Sequence, residues 1–204
     1  MANQVLTGFR PKGAKDEGQN TLQRLQMSST ASTAAVYQGD PLLWVSDGGV
    51  AVGASTDIHY SVMWGGASYV DGDGFRRGNN YYVAAAATVV PAIDAELGNY
   101  VYAVENFAKT RFEVPMTSTV TSILQTRMYD NADGIAGTGS TATGYSGWTL
   151  SGTAGTTATL GWRIVDFILA ADNDYTTTSA RLLVECNRTG DAGAAISADV
   201  TTSI

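Results

Sequence analysis

The chain has 204 residues, of which only 15% are charged, a formal net charge of −7, one cysteine and one histidine. A chain this long buries a full core without cross-links, and the lone Cys186 excludes both an intrachain disulfide framework and a Cys/His structural zinc site. The acidic balance argues against nucleic acid as a partner, because that role needs basic density on one face.

Charge is unevenly placed along the chain. Residues 1–30 hold four basic side chains (Arg10, Lys12, Lys15, Arg24) against two acidic ones (Asp16, Glu17), leaving eight basic and seventeen acidic of the 12 and 19 in all. Residues 1–33 therefore read as an extended N-terminal arm, slightly basic and suited to lying on another acidic protein. Pro11, Gly13 and Gly18 interrupt regular structure there. Asn20 is placed to cap a short helix, with Gln23 three residues on and Leu22, Leu25 and Met27 as its apolar side chains. A helix so short needs a surface to lie on. The opening residues lack a basic n-region and an apolar h-region, and no run approaches the ~20 apolar residues of a membrane span. The expectation is a soluble protein made in the cytoplasm, with no membrane partner.

Residues 34–190 read as a β domain. Residues 42–46 are apolar and aromatic, Asp47-Gly48-Gly49 is a hairpin signal, and 50–52 resume the apolar pattern. A third run begins at Tyr60, followed by Gly65-Gly66 and an Asp/Gly turn at 71–74. Such short runs, rich in Val, Tyr and Trp and bounded by Gly and Asp, are strands. Residues 75–80 are polar and basic and read as a loop. Strands follow at 81–83, 100–104 and 110–114, the last half-buried, with Phe112 and Val114 on the face opposite Glu113. Residues 117–129 have roughly helical apolar spacing, ended by a turn at 130–134. Residues 138–160 are almost wholly Gly, Ser, Thr and Ala and read as a long loop anchored by Tyr145 and Trp148. Two strong strands close the domain. One, over 160–169, carries Leu160, Trp162 and Ile164 on one face, then a bulge. The other, over 180–186, aligns Leu182, Val184 and Cys186. Residues 191–204 read as a C-terminal tail. The fold class is all-β, a β-barrel or jelly-roll-like sandwich with the N-terminal arm attached.

The residues that invite a chemical reading are few. His59 would have to serve any Ser-His-Asp triad, but it sits in a strand-like run without a flanking motif and reads as a packed ring. Residues 137–142 fit GxGxxA, yet Thr143-Gly144-Tyr145-Ser146-Gly147 cannot supply the helix that a dinucleotide site needs. Asp71/Asp73 and Asp130/Asp133 lack the calcium-loop pattern and read as turns. Asp94 and Glu96 form a carboxylate pair of a kind any acidic protein offers. Asn187-Arg188-Thr189 matches the glycosylation sequon, which matters only on secretion. Cys186 reads as a buried small apolar residue. Trp44, Trp64 and Trp162 fit a core, whereas Trp148, in a polar loop, is placed to anchor that loop or a partner. No catalytic residue, metal site or cofactor is expected.

Several segments in order resemble a known family. They are Gly8-Phe9-Arg10-Pro11, Tyr37-Gln38-Gly39-Asp40-Pro41-Leu42, Val62-Met63-Trp64-Gly65-Gly66-Ala67-Ser68-Tyr69, Gly144-Tyr145-Ser146-Gly147, Ile164-Val165-Asp166 and Leu182-Leu183-Val184-Glu185-Cys186-Asn187. Together, across roughly residues 8–188, they resemble the accessory capsid proteins of tailed bacteriophages, the cement or head-decoration proteins. After Pro11 the arm departs from the family pattern. The resemblance implies a structural, non-enzymatic virion protein on the outer capsid surface, binding the major capsid protein and itself as a homodimer or homotrimer. Candidate partner-binding residues are Phe9, Arg10, Pro11, Leu22, Leu25 and Trp148. On this reading, deleting residues 1–33 removes capsid occupancy and leaves the β domain folded. The alternatives are a tail, collar or head-fibre component that binds a host surface or glycan, and a non-viral carbohydrate-binding or hydrolytic β domain.

Overall fold

The computed structural model describes residues 8–14, 21–28, 35–55, 57, 59–70, 76–79, 81, 99–105, 107–117, 128–156, 160–174 and 179–187. Its strands are β1 (Arg10–Ala14), β2 (Leu22–Gln26), β3 (Pro41–Trp44), β4 (Val50–Val52), β5 (Ser61–Val70), β6 (Arg76–Asn79), β7 (Tyr100–Val104), β8 (Thr110–Pro115), β9 (Asn131–Ile135), β10 (Thr149–Gly155), β11 (Trp162–Phe167) and β12 (Arg181–Cys186). One sheet has the order β1-β8-β12-β11-β9-β10; the other runs β2-β7-β5-β3-β4, with β6 also beside β5. All these pairings are antiparallel. The fold is the expected all-β sandwich.

Each sheet curls until strands distant in its order touch. Met116, just after β8, bridges Leu150 of β10, and Met27, just after β2, bridges Val50 of β4. Backbone bonds seal both contacts: Thr117 N–H donates to the Leu150 carbonyl at 3.0 Å, and Ser28 N–H to the Val50 carbonyl at 2.9 Å. The larger core fills the first sheet with Phe112, Val114, Met116, Leu150, Trp162, Ile164, Leu182 and Val184, and takes Val62 and Val104 from the second. The smaller core, lined by Leu25, Met27, Leu42, Val50, Met63, Val101 and Ala103, belongs to the second sheet.

The clearest period-two signals become the strands that line these cores. The opening hairpin forms as expected, with Leu42 opposite Val52 and Trp44 opposite Val50. In β11 the register shifts between Ile164 and Asp166, the expected bulge. Trp162, Ile164, Leu182, Val184 and Cys186 are all buried.

Other segments depart from the sequence reading. Residues 22–26 form a strand, not a helix: each of them pairs with a residue of β7, and Leu25 and Met27 enter the smaller core at strand spacing. Gly65-Gly66 lies inside β5, where the register shifts between Met63 and Ala67. Residues 76–79, expected as loop, pair along the second half of β5. Residues 131–135 and 149–155, expected as a turn and a loop, pair with each other as β9 and β10. The helix read at 117–129 falls mostly on 118–127, outside the described residues, as do the strand at 82–83 and the tail at 191–204.

The N-terminal segment is extended, but its described parts are built into the sheets. Residues 10–14 run along β8 and residues 22–26 along β7, each at the end of its sheet's strand order. A buried ionic group fastens the first of these. Glu113 points away from the core, yet it is only 2% exposed. It accepts from Arg181 Nη1 at 2.9 Å and pairs with Lys12 Nζ of β1 at 2.5 Å. Arg181 Nη2 reaches Asp172 at 2.6 Å, and the Asn173 amide holds the Arg181 backbone by donating to its carbonyl and accepting from its N–H. A buried charge needs such partners on every side.

Candidate functional site

The N-terminal segment, the stretch before β3, the start of β5 and the loop between β9 and β10 meet in a single backbone junction. Gly8 N–H donates to the Trp148 carbonyl at 2.8 Å and Phe9 N–H to the Gly39 carbonyl at 3.0 Å. Gly39 N–H donates to the Met63 carbonyl at 2.7 Å, and Met63 N–H returns to the Asp40 carbonyl at 3.0 Å. Gln38 N–H reaches the Gly144 carbonyl, while Ser146 N–H reaches the Gln38 carbonyl. Backbone this close to backbone leaves no room for side chains. Gly8 and Gly39 both have positive φ, +83° and +95°, and a Cβ on Gly39 would lie 2.9 Å from the Gly8 Cα. Only glycine meets both conditions.

Asp40 sits under this junction. Pro41 biases the residue before it toward extended backbone, and the Asp40 side chain folds back beneath the turn. One carboxyl oxygen accepts the Tyr37 N–H at 2.8 Å, and the Ser146 hydroxyl donates to the carboxyl. Ser146 Oγ in turn accepts the Trp148 N–H at 3.0 Å. Burial pushes the Asp40 carboxyl up to about 6, outweighing the Ser146 and Tyr37 hydrogen bonds that favour the charged form. Burial, then the Tyr81 phenol and the Asp40 carboxylate, also raise the Tyr37 phenol. The Tyr37 ring stacks on Tyr81, with centroids 5.3 Å apart.

The candidate partner-binding residues divide by burial. Phe9 is fully buried and stacks on Trp162 at 4.0 Å. Leu25 and Trp148 are also buried, the latter beside Phe9 and His59. These three face the interior and offer no surface to a partner; Trp148 anchors its loop from within. Arg10 and Pro11 are half-buried in β1, the Arg10 guanidinium lying 4.6 Å from the Tyr145 ring centroid. Leu22 is 44% exposed and stands beside Tyr102, 38% exposed. Both side chains lie over Gly65, where a Cβ would come within 2.7 Å of each. Exposed Arg24 flanks them, its guanidinium 4.4 Å from the Tyr100 ring centroid. Leu22, Tyr102 and Arg24 thus form a half-exposed apolar and aromatic patch with one basic edge.

The remaining motifs resolve into packing. His59 is buried between Trp148 and Trp162, a packed ring as read. The GxGxxA segment is followed by turns. Its glycines serve contact, since a Cβ on Gly137 would fall 2.1 Å from the Gly147 carbonyl oxygen and one on Gly139 just as close to the Tyr37 ring. Asp133 accepts the Gly161 N–H at 3.3 Å, and Asn187 donates to the Leu160 carbonyl at 3.0 Å. Asp71, Asp73, Asp94 and Glu96 lie outside the described residues. Among the described residues no group of three or more His, Cys, Asp or Glu side chains is placed to hold a metal.

Sequence reasoning missed Asp40 and Ser146 as a pair. The available signal was an acid wedged between Gly39 and Pro41 at the mouth of an apolar strand, where water has little access. No known protein family, curated protein or solved structure matches the chain.

Proposed function

We propose that the chain is a structural virion protein, a cement or decoration protein that binds the outer surface of an icosahedral head and ties neighbouring major capsid protein subunits together. One observation carries this reading. Four of the segments that resemble the cement family (8–11, 37–42, 62–69 and 144–147) are far apart in sequence but meet in the one backbone junction described above. A set of short motifs that share a spatial role is more specific than the same motifs scattered over a surface. The all-β sandwich agrees with the fold the resemblance implies.

The physical role follows from mass action. DNA packed inside a head presses outward, and subunit boundaries are where the shell opens. A protein that binds across a boundary binds only the closed shell and so stabilises that state. Each contact can be a standard interface of ~1,600 Å² or smaller, because an oligomer gripping several subunits gains by avidity. The Leu22–Tyr102–Arg24 patch supplies contact chemistry of this kind: aromatic and Arg side chains dominate binding energy at protein interfaces.

Copy number per particle, measured by quantitative mass spectrometry of gradient-purified virions, tests the proposal. A count comparable to that of the major capsid protein is expected. A handful of copies would move the protein to a tail, collar or head fibre, and absence from particles would discard a virion role.

A further inference from the structure

We propose that Asp40 is a proton-operated latch that fastens the N-terminal strand and the 137–147 loop to the body of the sandwich, closing more tightly as pH falls below neutrality. The geometry sets the latch where these segments meet. The Asp40 carboxyl holds the Tyr37 amide on its own segment and the Ser146 hydroxyl on the loop. Its neighbour Gly39 receives the Phe9 amide, which positions the start of β1. The Asp40 backbone carbonyl receives the Met63 amide from β5. The Asp40 side chain thus holds the loop directly, and the Gly39-Asp40 backbone that it braces accepts bonds from the N-terminal strand and β5.

The surroundings favour the neutral acid. Asp40 is 3% exposed. The titratable group facing it from its own segment is the Tyr37 phenol, itself beside Tyr81. From the loop comes Ser146, followed by Trp148, whose ring lies beside Phe9 and His59. Elsewhere on the loop, the Tyr145 ring carries the Arg10 guanidinium. Burial dominates and raises the carboxyl to about 6. Protonation keeps the arrangement: a neutral carboxylic acid still accepts the Tyr37 amide through one oxygen and gains a proton to share with Ser146.

The sign follows from linkage. A carboxyl that titrates higher in the folded than in the unfolded chain binds more protons when folded, so stability rises as pH falls through the folded value and stops rising below the unfolded one. With an unfolded value of 3.8 and a folded value of about 6, Asp40 alone makes the folded state roughly tenfold more favoured at pH 5 than at pH 7. Other carboxylates that lose partners in acid act in the opposite sense. The informative quantity is therefore the difference between the wild type and Asp40→Asn.

The test is urea unfolding of the purified full-length chain from pH 5 to 7.5, for the wild type and Asp40→Asn. Amide hydrogen exchange at Phe9, Gln38 and Ser146, corrected for intrinsic rates, is read alongside. The expected result is a roughly tenfold gain in the wild-type folding constant relative to Asp40→Asn between pH 7 and pH 5, with added protection at those three amides. Equal pH slopes in the two proteins would overturn the proposal. If Asp40→Asn does not fold, carbon NMR of the wild-type Asp40 carboxyl decides. A midpoint near 6 supports the latch, and one near 4 removes it.

Discussion

Phe9 shows how much one side chain near a terminus can hold. It contacts Trp162, Trp148 and Phe112 and is completely buried, although it stands only three residues before Lys12, whose side chain is 49% exposed. Replacing Phe9 with Ala removes the ring from a close-packed aromatic cluster and leaves a cavity, a change that costs about 3–5 kcal/mol in comparable cores. Denaturant unfolding of Phe9→Ala should show that loss. A cost below about 1 kcal/mol would place Phe9 outside the core. Nothing in the local sequence distinguishes this phenylalanine from one on an exposed arm. Its burial depends on Trp162, more than 150 residues later. Glu113 was hidden for the same reason: alternation placed it correctly on the outer face of β8, but Lys12 and Arg181, which bury it, arrive from other strands.

At the scale of the element, legibility tracked side-chain pattern. Strands β3, β4, β7, β8, β11 and β12 could be read because alternate apolar residues line a core. The strands read as something else, β1 (RPKGA), β2 (LQRLQ), β6 (RRGN), β9 (NADGI) and β10 (TLSGTAG), carry little apolar signal. They are strands because a neighbour offers a hydrogen-bond ladder, and β-propensity is largely a statement about neighbours. The arm was misjudged by this route, and the consequence is testable. Deleting residues 1–33 removes β1, β2, Phe9, Leu25 and Met27, so the truncated chain should fail to fold cooperatively rather than persist as a domain lacking its arm. Circular dichroism and thermal melting of the truncated chain check this. A sharp transition near the wild-type temperature would restore the independent arm.

For the whole molecule, the proposed capsid contact can be separated from folding. Leu22 and Tyr102 are partly exposed on the outer face of the second sheet, so changing both to Ser should leave the unfolding midpoint nearly unchanged. If this patch grips the capsid, occupancy of purified particles should fall by about tenfold or more, the effect of losing an interface hot spot. Unchanged occupancy would direct attention to another face. Sequence alone placed Leu22 among the candidates, but it gave no sign that Tyr102 stands beside it, because their adjacency comes from the β2–β7 pairing and the bare backbone of Gly65.

The junction also sets an order of events during synthesis. Gly8 and Phe9 leave the ribosome well before their partners, Trp148 and Trp162, which are among the last parts of the β domain to be made. Until those arrive, the N-terminal strand has neither its β8 neighbour fully framed nor a pocket for its aromatic ring. Closure of such long-range contacts is intrinsically slow, and an unpaired strand end is a hazard while it waits. The charged and proline-containing sequence Arg10-Pro11-Lys12 suits that interval, since Pro and Lys blunt a strand against stray pairing. The same Lys12 that blunts the waiting edge later fastens it, through its ion pair with Glu113.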